Sequence, residues 1–122
     1  MNKLPVIEVS TTRQSTSKFP VHWVSREARY KLIELMLSTR SLTELAKILG
    51  VTPTAVRKYI KRSAHPSDEV LLKAIESLAP YEKDQAMSII ISDLLGAVKA
   101  LYENVEDKYR AEIKSKLAEI IK

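Results

Sequence analysis

Beyond residue 24, apolar residues recur at spacings of three and four, the period of a helix with one buried face. Ala28, Leu32, Leu35 and Met36 mark a first helix that Ser25 can cap and that runs to about Thr39. Leu45, Ala46, Ile48 and Leu49 give a short second helix its apolar side, and Val56 and Ile60, four apart, give a third its inward side. A fourth carries Val70, Leu71, Ile75 and Leu78. Ser67 caps it, Asp68 and Glu69 suit its dipole, and Ala79-Pro80 closes it. From about Tyr81 to Glu103 the pattern predicts a long helix, apolar on much of its circumference. A last helix, about Asp107 to Ile121, places Tyr109, Ile113, Leu117 and Ile120-Ile121 on one face, and the short link between the two predicts an antiparallel hairpin.

The first 24 residues lack this period. Leu4–Val9 and Phe19–Val24 are short runs rich in β-branched and aromatic residues, separated by the polar segment Ser10–Lys18. They read as a short hairpin or an extended arm, with a tail tucked onto the helices as the other reading. The division expected is residues 1–24 as arm or hairpin, 25–79 as a helical domain and 80–122 as a C-terminal helical region, all-α apart from the arm.

Residues 41–62 carry the densest local signals. Ser41 with Glu44 three residues on is a capping-box pair. Gly50 stands where a helix stop needs a left-handed backbone, and Val51 can plug the space between two helices. Thr52 is a good N-cap and Pro53 falls at the first helical position, where a missing N–H costs nothing. The result is a helix, a tight turn and a second helix whose outer face carries Thr54, Arg57, Lys58, Lys61 and Arg62.

The order Leu45-Ala46, Leu49-Gly50-Val51, Val56 and Ile60 resembles the helix-turn-helix of the Cro and phage-repressor (Xre-like) family, and His65–Leu72 resembles that family's next loop and helix. The resemblance spans roughly residues 26 to 79. It implies recognition of double-stranded DNA, with the second motif helix, 53–62, in the major groove. Arg57 and Lys58 would then reach base edges or adjacent phosphates. Thr52 and Thr54 would meet the groove near the start of that helix, and Lys47, Lys61 and Arg62 would contact phosphates. The resemblance also makes Arg26, Arg29 and Lys31, near the start of the first helix, phosphate-contact candidates, with a solvated face as the other reading. Arg13 and Lys18 would lie along DNA if the arm does.

Charge sharpens this picture. Residues 1–65 hold twelve Lys or Arg against four acids, a net of +8, whereas residues 66–122 hold eight against eleven, a net of −3. Such segregation is expected of a nucleic-acid module joined to a part with a different task. There is no cysteine, which excludes disulfides and thiolate chemistry. Two histidines without ligand spacing offer no metal site, and no phosphate loop, zinc-protease signature or other catalytic motif occurs, so neither an enzyme, a cofactor nor a small-molecule ligand is expected. No signal peptide is read at the N-terminus. The apolar run Ile89–Val98 contains Ser92 and Asp93 and is too short to span a bilayer, which points to the cytoplasm and the nucleoid. Scarce Asn and Gln beside many Lys, Glu and Ile hint at a thermophilic source.

The C-terminal helices hold more apolar residues than one hairpin can hide. Ile91, Leu94, Leu95, Val98, Ile113, Leu117 and Ile120 are the dimerisation candidates. Ser88, Ser92, Gly96 and Ala100 form a stripe of small residues that fits either a dimer crossing or packing within the chain. The function expected is a dimeric, sequence-specific transcriptional regulator, for instance a repressor. An architectural, repeat-binding or partition accessory DNA-binding protein and a protein-interaction adaptor are the alternatives.

Overall fold

A computed structural model describes residues 18–122, so Leu4–Val9 and Arg13 lie outside the described part. Six α-helices follow one another: α1 Arg26–Leu37, α2 Leu42–Leu49, α3 Pro53–Lys61, α4 Asp68–Glu76, α5 Pro80–Glu103 and α6 Asp107–Ile121. Among the described residues there is no strand. Val21–Trp23 form a single 3-10 turn instead of the second half of a hairpin, because Phe19 and Val21 turn inward against α1, α4 and α5.

Side-chain caps set most of the helix starts. The hydroxyls of Ser25, Thr52 and Ser67 accept bonds from Ala28, Ala55 and Val70 at 3.1, 3.1 and 3.2 Å, and Ser41 with Glu44 closes a full capping box. One boundary departs from the pattern. Pro80 does not close α4, which stops at Glu76, but occupies the first turn of α5, with Glu82 accepting a 2.9 Å bond from the Ala79 amide.

Helix α1 lies between two cores. On one side Ile33 and Met36 meet Leu45, Ala46 and Leu49 of α2, Val56 and Tyr59 of α3 and Ala74 of α4. On the other, Ala28 and Leu32 meet Val24, Leu71 of α4, and Ala86 and Ile90 of α5. The inward residues of α3 are thus Val56 and Tyr59, not Val56 and Ile60. A spacing of three or of four serves equally, and Ile60 remains 46% exposed.

Two polar contacts fasten α5 to this body. Arg40, in the link between α1 and α2, donates to both oxygens of Glu82 at 2.7 and 2.9 Å, and Glu82 is only 2% exposed. Halfway along α5, Asp93 accepts a 2.9 Å bond from the Ser25 amide and a second from the Ser25 hydroxyl, so the N-cap of α1 is itself held by α5. Past Ile90 no residue of α5 or α6 is buried. As a helix of 24 residues, α5 is long and apolar enough to cross a membrane by length and composition, with a mean hydropathy of 1.2 over its most apolar window, which revises the expectation drawn from Ile89–Val98 alone.

Candidate nucleic-acid interface

Between α2 and α3 the backbone makes a tight, fully bonded turn. Gly50 adopts φ 71°, and its amide bonds to Lys47 O at 3.2 Å while that of Val51 bonds to Ala46 O at 3.0 Å, the paired arrangement of a Schellman stop. A β-carbon at Gly50 would strain the left-handed backbone and sit 3.0 Å from Lys73 Nζ. Val51 then packs against the core shared by α2 and α3. Ala46, 2% exposed, lets the two helices approach.

On α3, Thr54, Arg57, Lys58 and Lys61 stand at i, i+3, i+4 and i+7 and form one exposed stripe opposite Val56 and Tyr59. The buried ring of Tyr59 has its hydroxyl pKa pushed up by desolvation, so it stays neutral beneath the stripe. Among the described residues, no ion pair engages Arg57, Lys58, Lys61 or Lys47. No described acid compensates their charge, which leaves a field suited to a polyanion. Thr52 is exposed at the start of the helix, where its side chain serves as the cap.

Other arginines that the resemblance nominated are employed within the fold. Arg29 is 5% exposed and spends its guanidinium on Val24 O at 2.9 Å, on Pro66 O, Val21 O and Asp68 at 2.8 Å. It ties the N-terminal turn to the loop after α3 and is a structural clamp, not the phosphate contact expected from its place in α1. The Asp68 carboxyl, which accepts from His22 at 2.9 Å as well as from Arg29, is held below its ordinary pKa by those two bonds. Arg62 ends α3 in a left-handed conformation, φ 62°, unusual for a residue with a β-carbon. The amides of Arg62 and Ser63 bond to Tyr59 O and Lys58 O at 3.1 and 3.0 Å, the same helix stop as at Gly50, while Nη1 of Arg62 donates to both oxygens of Glu27 at 2.7 and 2.8 Å and the guanidinium lies 4.8 Å over the Tyr30 ring, which removes Arg62 from the free cationic stripe. Arg26, Lys18 and Lys31 are exposed, whereas Arg13 lies outside the described residues.

Sequence patterns overlooked Tyr30, Glu82 and Asp93 as organising residues. Glu82 alone left a trace, since it stands three residues beyond Ala79 with Pro80 between them, half of a capping box. The other two act through partners remote in sequence. No group of three metal-ligating side chains occurs among the described residues.

A pair of short packed helices joined by a glycine turn, with a buried Ala between them and a cationic stripe that no described acid pairs, defines a DNA-binding helix-turn-helix domain. The helix-turn-helix family model matches residues 32–79, and this segment is a helix-turn-helix domain of the Cro/C1, Xre-like type. That family is a DNA-binding regulator domain rather than an enzyme family. No curated protein and no solved structure matches the chain.

Proposed function

We propose that the chain is a sequence-specific binder of double-stranded DNA that regulates transcription as a homodimer at the nucleoid. The observation that carries this reading is the stripe Thr54, Arg57, Lys58 and Lys61 on α3, exposed and in no ion pair among the described residues, on a helix whose other side is locked into the core. Arg57 presents the fork that addresses guanine in the major groove, and Thr54 can meet a base or a thymine methyl. Lys58, Lys61 and Lys47 suit phosphates, where they set register. Dimerisation is assigned to the α5–α6 hairpin, whose Ile91, Leu95 and Ile120 are more than half exposed.

Selection of bound duplexes from a random pool, with the mass of the protein measured in the same buffer, tests the reading. The expected result is an inverted repeat with half-sites about one helical turn apart, bound by a dimer. If a dimer neutralises about eight phosphates, log K falls with log salt at a slope of about −7. Arg57→Ala relaxes preference at one position of each half-site. A uniform loss across all sequences would remove the base-reading role. Binding without enrichment would instead identify an architectural protein, and affinity no better than for any polyanion would identify an adaptor.

A further inference from the structure

We propose that the last turn of α6 in one chain seats in the apolar groove at the hairpin turn of a second copy, and that the exchange is reciprocal. This rests on the dimer reading above and specifies its contact. The groove, ≈ 390 Å³, is lined by Leu101, Val105, Tyr109, Glu112, Ile113 and Lys116. At the other end of the same helix, Ile120 and Ile121 are 76% and 80% exposed, two large apolar side chains that no described residue covers.

The chain cannot fill the groove with its own Ile120. Tyr109 and Ile120 belong to one continuous helix, and eleven residues at the helical rise separate them by about 16 Å. A second molecule can. Tyr109, Ile113, Lys116 and Ile120 recur at i, i+4, i+7 and i+11, so groove and knob occupy one face of α6. Two such faces laid antiparallel about a two-fold axis bring each Ile120 over the other chain's Tyr109 and Ile113, giving the contact twice.

Charge favours a second copy over other occupants. Glu112 and Lys116 stand one turn apart on the groove's rim, and among the described residues neither is in an ion pair. The antiparallel arrangement places each Glu112 beside the opposite Lys116, which makes the rim self-complementary. A bilayer would leave that carboxylate facing hydrocarbon or lipid headgroups. It would also have to take α5 away from Ser25, to which Asp93 is bonded, and from the core holding Ala86 and Ile90.

The absence of cysteine from the chain allows a direct test. Full-length Tyr109→Cys and Ile120→Cys are prepared separately, and mild oxidation is applied to each alone and to their mixture. The expected result is a disulfide-linked dimer from the mixture and none from either variant alone. Ile120→Glu, at an exposed position that leaves helicity unchanged by circular dichroism, halves the mass in solution. Glu112→Lys weakens the dimer, and adding Lys116→Glu to the same chain restores it. A native chain that is dimeric but gives no mixed cross-link, and stays dimeric as Ile120→Glu, overturns this contact and leaves the dimer reading standing. A monomeric native chain overturns both, and a monomer that floats with phosphatidylcholine–phosphatidylglycerol vesicles shows that lipid is the occupant. Duplex binding, followed on the same samples, reports on the DNA reading independently.

Discussion

Helices α1 to α4 and the outer hairpin are both rich in apolar residues, but they use them differently. In the first region Leu32, Met36, Leu45, Leu49 and Val56 are at most 1% exposed, and the helices converge on α1 from two sides. In the second, Leu95 is 58% and Leu101 55% exposed, and α6 has no buried residue at all. The boundary falls inside one helix. As far as Ile90, α5 gives buried residues to the body that holds the DNA-binding domain, Leu94 still packs against that core instead of being free for a dimer contact, and the rest of the helix adds no residue to it. Amphipathic pattern alone therefore does not separate a core helix from an interface helix. What differs is whether the same chain supplies the opposing surface.

Substitutions across this boundary should separate the two regions, beginning with the most damaging. Arg40→Ala leaves the Glu82 carboxylate buried without its cation and should lower stability by about 3–5 kcal/mol, read by urea unfolding. The same contact makes stability depend on acid. Bonds from Arg40 hold the Glu82 carboxyl below its ordinary pKa, so its contribution is complete above the unfolded value of about 4.3 and is lost as the pH falls through the lowered folded value. Glu82→Gln should flatten that part of the profile, and an unchanged acid slope would assign it to another carboxylate.

Asp93→Ala removes two bonds to Ser25 and should cost about 1–3 kcal/mol. Hydrogen exchange should show the gain in opening at the start of α1 and the middle of α5, and protection there equal to the native chain would remove Asp93 as the fastening. Gly50→Ala forces a β-carbon into a left-handed turn beside Lys73 and should cost about 1 kcal/mol, with a matching drop in thermal midpoint. The smallest effect belongs to the far side of the boundary. Leu95→Ala should change the stability of the single chain by no more than about 0.5 kcal/mol, although Leu95 is as apolar as any core residue. A larger loss, measured at concentrations where the chain is monomeric, would show that this end of α5 is packed within the molecule.

Much of this molecule is legible in local sequence. The capping residues Ser25, Ser41, Thr52 and Ser67 act on amides three residues away, so they announce helix starts before any tertiary contact is known. The same holds for Gly50, whose role follows from its own backbone angle, and for the stripe on α3, which needs only the helical period. Errors arise where a residue has more than one use. Arg29 and Arg62 read as free cations because nothing within four residues claims them, yet Asp68, 39 residues away, and Glu27, 35 residues away, do. Likewise Pro80 can end one helix or begin the next, and only the burial of Glu82 shows which.

Helix positions, the turn, the cationic face and the charge divide between the two halves follow from the chain's order alone, because each depends on interactions over a few residues or on none. The choice of Tyr59 over Ile60 as the inward residue, the internal use of Arg29 and Arg62, and the point along α5 beyond which it adds no residue to the core depend on which surfaces meet. Those meetings join residues dozens of positions apart. They are settled by packing and by the need to pair every buried polar group, neither of which has a local signature.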